Sequence, residues 1–529
     1  MATKQMKISF TFANSSIEAP PQDPATRARI RKQAIKQAFA ARKQDGTQKR
    51  YNVRQSPVFV RDKLVAPSVS GINLSRSDTE FKVNVEDHNA LEVDDFFAAE
   101  EPIEPASDDN EIPKVDHLSL VLRESQTLYA NVSGTGYEQI THKYGFNILD
   151  LSDLATFHVG RSTRTSLSSN PCQLVNLRQY QPWSFLSFLP STYEHFPCIR
   201  YAAECVAARV RQILSPGEVH HSTVIALYVK ALKHLQEVLN TPKRCLKPEV
   251  LFATEIMAIY ELLATSDEIA WVRHAAGAAR LIQFRGPANF TTEFEKALFM
   301  AHAGAISNEA LLKNERCFLE EDQWRDVFQS IIVRDSAISD RSEAAITMLM
   351  IKSSAPGIAK DVTSAVVQQL STDSPFVIAV ADRARQLHAT LLSWHDNYKE
   401  LLGDDPSDIC TATIEGDSRC KIMGVYLSCM VLANRFMAAV CPLEQQEREE
   451  EAQEVVNRIF ELQKHVSRVR PQACLYLVQA VGLARVTAVT TQDWQCISES
   501  KDASFGGPRR VISRWRFERW CELFGRKTS

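Results

Sequence analysis

The residue pairs that could support metal chemistry lie near the middle of the chain. His195 and Cys198 are separated by two residues, and His220 directly precedes His221. Imidazole nitrogens and thiolates are zinc ligands, but a structural zinc site takes four of them at characteristic spacings. Neither pair has further ligands at such a spacing, so we predict that the chain binds no metal and needs no cofactor.

The motifs for nucleotide binding and covalent catalysis are missing from the sequence. It contains no G-x-x-x-x-G-K-[ST] loop, no G-x-S-x-G turn and no H-E-x-x-H helix, and the Gly-Thr-Gly at 134–136 lacks the third glycine of a dinucleotide-binding loop. Single histidines such as His234, His274 and His388 fall in helical stretches, where structural hydrogen bonding is the usual role. We therefore predict that the protein is not an enzyme.

The cysteines and the apolar runs indicate an intracellular protein. The twelve cysteines begin at Cys172 and include no C-x-x-C pair, which is typical of reduced thiols. The start of the chain does not resemble a secretion signal. The longest apolar run, 422–440, contains Asn434 and Arg435, so we predict a core helix rather than a membrane span. We expect the protein in the nucleus, and a cytoplasmic pool is compatible with the same features.

The first zone of the chain, 1–60, is basic. Between 27 and 54 it has ten lysines and arginines and one acid, Asp45. Asp23 can cap a helix that Pro24 begins and Gly46 ends, but its thin apolar stripe predicts folding only on a surface or partner. The candidate residues for nucleic-acid contact or nuclear import are Arg27, Arg29, Arg31, Lys32, Lys36, Arg42, Lys43, Lys49 and Arg50.

Three roles fit this basic zone. Its cations could neutralise DNA phosphates, which gives affinity with little choice of sequence. Its paired clusters, Arg31-Lys32 and Arg42-Lys43, the latter with Lys49-Arg50, are typical of import signals. It could also be a solvated charge run with no specific partner.

The second zone, 61–115, is acidic. From 86 to 111 there are eleven aspartates and glutamates with no lysine or arginine, and Leu91, Phe96 and Phe97 are set among them. This alternation is typical of disordered activation segments that recruit proteins of the transcription machinery, although a plain solvated linker fits equally well. Residues 116–171 are predicted to be a poorly defined connecting region.

The third zone, 172–529, is predicted to be one large all-α domain of packed helical pairs. From Ser374-Pro375, a cap and a first-turn proline, apolar residues recur at helical spacing up to Gly403. Further helices are predicted at about 248–263, 267–284, 420–440, 447–466 and 471–486. The basic and aromatic residues at 509–524 have two interpretations, an amphipathic helix that closes the domain and a surface that stacks on nucleic-acid bases. We favour the amphipathic helix.

One part of this zone resembles the fungal-specific transcription factor domain, the helical region C-terminal to zinc-cluster modules in fungal regulators. The similar stretches are YVKALKHLQ at 228–236, EIMAIYE at 255–261, WVRHAAGA at 271–278 and LIQFRGP at 281–287. The resemblance covers roughly 180–460. Its motif residues Trp271, His274, Gly277, Arg285, Gly286 and Pro287 all have packing or capping roles in our interpretation, and Gly277 would allow close approach of a neighbouring helix.

The chain departs from this family at its N-terminal end. The family's regulators usually carry six cysteines there, beginning C-x2-C-x6-C, which bind two zinc ions, whereas the first 171 residues here contain none. The resemblance implies a fungal transcriptional regulator, here without zinc-cluster DNA binding. A helical co-regulator with no DNA contact of its own is the alternative, and an enzyme ranks below both. No membrane partner is expected, and the oligomeric state stays open.

Overall fold

The computed structural model describes residues 136–528, with gaps at 176, 178, 242–243, 265–269, 335–337 and 496–509. Within the described residues all regular elements are helices, accompanied by two isolated β-bridges, so the predicted all-α class is confirmed. The helices are α1 (Gly136–Tyr144), α2 (Arg161–Ser169), α3 (Leu189–Thr192), α4 (Pro197–Leu214), α5 (His221–Leu239), α6 (Pro248–Leu263), α7 (Ala270–Arg285), α8 (Glu293–Leu312), α9 (Asp322–Gln329), α10 (Glu343–Val367), α11 (Pro375–Leu402), α12 (Pro406–Ile409), α13 (Ile414–Val440), α14 (Gln445–Val469), α15 (Cys474–Val489), α16 (Thr491–Gln495) and α17 (Arg514–Leu523).

Local sequence sets the ends of several helices. At the start of α11 the Ser374 hydroxyl accepts a hydrogen bond from the Val377 amide at 3.2 Å, and Pro375 occupies the first turn. The helix ends at Gly403, whose φ of +82° favours glycine. At the start of α8, Thr292 and Glu295 form a capping box, each side chain accepting from the other's backbone amide at 3.2 Å.

The helices pack as neighbouring pairs, as predicted. α4 packs on α5, α6 on α7, α10 on α11, and α13 on α14. Each pair buries the apolar faces that neither helix could bury alone.

Helix α13 lies at the centre of the C-terminal half, in contact with α10, α11, α14 and α15. Helix α13 and the segment Pro471–Val489 have the length and apolar composition of helices that can cross a membrane. The apolar window of α13, however, is entirely buried in the fold. Even its polar residues Asn434 and Arg435 have no exposed surface.

The packed region begins well before the predicted boundary at 172. Three side chains between α1 and α2, Phe146, Leu151 and Phe157, are at most 1% exposed. The polar stretch that follows is helix α2. Its Arg161 donates two hydrogen bonds, each of 2.7 Å, to the carboxylate of Glu309 in α8. Part of this region consists of short 3₁₀ turns, Ile148–Asp150 and Ser152–Ala155. Their apolar residues do not recur at the α-helical period, so the sequence pattern did not predict them.

Candidate functional site

The predicted basic site lies outside the described residues. All nine of its members, Arg27 to Arg50, precede residue 136, as does the acidic zone. Their roles stay predictions.

The histidine pairs considered for metal binding do not form a site. His195 is exposed while Cys198 is buried in α4, and His220 and His221 are both exposed. Among the described residues, no group of three or more histidines, cysteines, aspartates and glutamates has an arrangement that could hold a metal ion.

The family motif begins on the buried face of α7. Trp271 and His274 are 3% and 1% exposed. His274 Nε2 lies 3.6 Å from Glu261 Oε1 of α6, and the same oxygen accepts a hydrogen bond from the Tyr228 hydroxyl of α5 at 2.5 Å. Burial, with a smaller effect of Arg273, lowers the pKa of His274 to about 4, so the imidazole is neutral at physiological pH.

Gly277 does not have the role that the sequence predicted for it. A Cβ atom built there would meet no atom within 4 Å, so no helix approaches α7 closely at this position. The close approach occurs instead at Gly304 of α8, where a Cβ would lie 1.7 Å from the carbonyl oxygen of Phe157. Both glycines stand among small residues, and only the tertiary fold determines which of them faces a neighbouring backbone.

The end of the motif joins three segments. The Arg285 guanidinium donates to the Leu246 carbonyl, to the Asn289 carbonyl at 3.0 Å and to Glu295 Oε1 at 2.6 Å, so α7 is connected to the capping box of α8. Gly286 has φ +72° and ψ 157°, a backbone conformation that favours glycine but differs from the left-handed helical cap. Pro287 then begins a 3₁₀ turn.

A second buried histidine in this region was missed by sequence reasoning. His302 of α8 places Nε2 2.8 Å from the Ala275 carbonyl oxygen and Nδ1 3.1 Å from Glu255 Oε1. Burial alone would lower the pKa of His302, but Glu255 outweighs it and the pKa is raised. Both ring nitrogens of His302 lie against oxygen atoms, so this residue connects α6, α7 and α8. Both histidines occupy helical stretches, so periodicity could not distinguish them.

A charged centre is buried where the N-terminal turns meet α13 and α15. Lys421 Nζ lies 3.3 Å from Asp153 Oδ1 and 3.8 Å from Asp340 Oδ1. Asp153 also accepts hydrogen bonds from the Tyr476 hydroxyl at 2.9 Å and from Gln181 Nε2 at 2.6 Å. Burial lowers the pKa of Lys421, but the two carboxylates outweigh it and the net pKa is raised. These contacts connect the N-terminal turns to α13 and α15.

A second buried ion pair lies beneath the C-terminal helix. Arg435 Nη2 donates to Glu449 Oε1 at 2.8 Å, with both side chains fully buried. The guanidinium lies over the ring of Trp494 at 4.1 Å and near that of Trp520 at 5.7 Å. Burial raises the pKa of Glu449 to about 7 even with Arg435 beside it.

The C-terminal basic and aromatic patch is largely a packing element. Phe517 and Trp520 of α17 are at most 1% exposed, whereas Trp515 is 56% exposed. Arg514 and Arg519 form ion pairs with Glu518 and Asp493. Most of the aromatic surface that could have stacked on bases is therefore covered by the domain, as the amphipathic-helix interpretation expected.

Comparison with known proteins places this fold in a family. An uncharacterised protein of Emericella nidulans is 33% identical to the chain over 117 residues, which are 22% of this chain and 25% of that relative. The match thus spans about a quarter of the relative's length. No solved structure matches the chain. A family model described as the fungal specific transcription factor domain matches residues 181–478, more than half of the sequence. The chain belongs to the fungal-specific transcription factor domain family.

Proposed function

We propose that the protein is a nuclear regulator of transcription in a fungus, and that its helical domain acts as a regulatory and interaction module. The observation that carries this proposal is the family match over 181–478, which falls within the packed helices. The internally paired charges of the two buried centres support a scaffold role over catalysis.

The finer proposal is that the basic zone contacts DNA in place of a zinc cluster. Ten lysines and arginines between 27 and 54 can neutralise phosphates and release counterions. Such contacts position a protein on the duplex without reading bases. Target choice would then come from partners recruited by the helical domain or by the acidic zone.

Genome-wide occupancy of the tagged full-length protein, compared with a version lacking residues 1–60, tests this proposal in cells. We expect discrete chromatin sites for the intact protein and their loss from the shortened one. A heterologous import signal fused to both versions keeps nuclear entry equal. The intact protein is also followed without the added signal, and the proposal fails if that protein stays in the cytosol without chromatin contact under all growth conditions.

A salt titration of DNA binding tests the contact itself. For a variant with Arg29, Arg31, Lys32 and Lys36 changed to glutamine, we expect weaker binding and a shallower dependence of affinity on salt. If all four residues contact phosphates, the slope of log K against log salt should fall by about 3.6, since each contact contributes about 0.9.

The matched control removes the same charge from the helical domain. Lys233, Arg280, Lys464 and Arg468 are exposed, so their replacement by glutamine leaves the core unchanged. This control should retain the affinity and slope of the wild type. Equal losses in both variants would mean that only overall charge matters, and the basic zone would have no special role.

A regulator without DNA contact is the second candidate, favoured by the absence of cysteine before Cys172. It predicts that chromatin association survives deletion of 1–60 and that the purified protein does not bind DNA at low salt. The basic zone would then serve nuclear import, which the localisation of a fluorescent fusion to residues 1–60 would measure.

A further inference from the structure

A small cavity lies where α8, α10, α13 and α15 meet. Its volume is about 30 Å³, and its lining includes the polar side chains of Lys352, His158, Ser428 and the amide pair Asn308 and Gln479. A water molecule needs about 10–15 Å³ of such volume, so the cavity has room for roughly two waters or an ion of that size.

Lys352 gives this cavity a positive charge. The residue is 8% exposed, and no described side chain or carbonyl forms a hydrogen bond or ion pair with its ammonium group. Burial lowers the pKa of Lys352 to about 8, with only the thiols of Cys429 and Cys317 acting in the other direction. The ammonium is therefore still largely charged at neutral pH, and a buried charge without a counterion is costly.

His158 supplies a second polar group without a partner. Its Nδ1 contacts the Thr156 hydroxyl, while Nε2 is fully buried and has no hydrogen-bond partner among the described residues. The Thr156 hydroxyl lies 3.4 Å from the Asp153 carbonyl oxygen, a poor hydrogen-bond distance, so its proton is better directed at Nδ1. In that tautomer Nε2 carries the proton and is a donor.

No aspartate or glutamate is among the described residues that line the cavity, so the lining gives Lys352 no acidic counterion. Asp153 and Asp340, the buried carboxylates of the charged centre, lie next to Lys421. Asn308 and Gln479 are neutral and satisfy each other through two hydrogen bonds of 2.9 Å. Burial lowers the pKa of His158 well below its ordinary value, and the charges of Lys421 and Lys352 lower it further, so the ring is neutral.

We propose that this cavity binds one small monovalent anion of the size of chloride or formate, held by the Lys352 ammonium with the His158 Nε2–H as second donor. The site is independent of DNA contact and of the basic zone. The small volume favours chloride or formate over sulfate, gluconate and dicarboxylates. Bound in this way, the anion would neutralise the charge at the junction of four helices and stabilise the fold.

Thermal unfolding of the full-length protein tests the proposal. At fixed pH and ionic strength, chloride or formate replaces gluconate stepwise. We expect the melting temperature to rise and then saturate, because the ligand binds only the folded state. Sulfate should give no saturable increase.

Two variants on the same helix show whether Lys352 is responsible. Lys352→Met should lose the saturable increase, while Lys360→Met, two turns along α10 at a partly exposed position, should keep it. The proposal would be overturned if the melting temperature rose linearly with the chloride or formate concentration, or if sulfate raised it equally. It would also be overturned if Lys352→Met showed the same increase as the wild type.

Direct binding gives an answer that does not depend on the variants. Equilibrium dialysis of the wild-type protein against radioactive chloride should find one saturable ion per chain. If no saturable chloride is bound, the cavity holds water only and the proposal is wrong, whatever the stability of Lys352→Met.

Discussion

The same substitution, glycine to alanine, should have opposite effects at two positions in neighbouring parts of the domain. At Gly277 the added methyl group meets no atom within 4 Å. Alanine is favoured over glycine in a helix by about 0.8–1.0 kcal/mol, so Gly277→Ala should raise the free energy of unfolding by roughly that amount.

At Gly304 the methyl group would lie 1.7 Å from the Phe157 carbonyl oxygen and 2.7 Å from its carbon. An ordinary contact is at least 3.4 Å, so the two backbones must separate by more than 1 Å. Overpacking of this kind costs about 1–3 kcal/mol, and the upper end applies because main-chain atoms must move. After the gain in helix propensity, Gly304→Ala should lower the free energy of unfolding by about 2 kcal/mol.

Urea unfolding followed by tryptophan fluorescence measures both variants against the wild type. The two should differ by about 3 kcal/mol, with opposite signs and unchanged urea dependence. The reasoning is refuted if Gly304→Ala is as stable as Gly277→Ala. That result would mean that the segment containing Phe157 does not lie against α8.

Two further predictions concern α7. Trp271→Ala should lower the free energy of unfolding by about 3–5 kcal/mol because the side chain is 3% exposed, and near-native stability in urea would contradict its place in the core. The pKa of His274 is about 4 in the folded state against an ordinary 6.5, so between these values the unfolded chain takes up a proton that the folded chain does not. Stability should therefore fall as pH decreases from 6.5 to 4, by up to about 3 kcal/mol, and His274→Gln should show a smaller decrease in the same pH series of urea midpoints.

The sequence predicted those parts of the fold that depend on local chemistry. Helix α6 has the predicted bounds, 248–263, and α11 begins after Ser374 and ends before Gly403, because capping side chains and helical periodicity act within a few residues. The start of α13 at Ile414 was missed, since its first turns are mostly polar or small.

The interactions that the sequence could not predict join distant positions. Asp153 and Lys421 are 268 residues apart, and no local pattern indicates that they meet. The same applies to Lys352, because the sequence of α10 does not show that this lysine is buried while Lys360 of the same helix is partly exposed. Composition identifies glycines and histidines, but which glycine faces a backbone and which histidine has a raised pKa depend on neighbours from other helices.

The contacts of the charged centres determine how much chain the helical domain needs. Residues 181–478, the part matched by the family model, include Lys421, Tyr476 and Arg435 but exclude Asp153 and the rings of Trp494 and Trp520. Loss of one partner of a buried ion pair costs about 3–5 kcal/mol, and loss of a large buried aromatic side chain a similar amount.

Together these losses approach the roughly 5–15 kcal/mol that stabilises a typical folded domain. A fragment of residues 181–478 should therefore show weak helical circular dichroism and no cooperative unfolding, while a fragment of 136–528 should unfold cooperatively. Equal stability of the two fragments would mean that the charged centre contributes little. The regulatory module of this protein would in that case be smaller than its packing indicates.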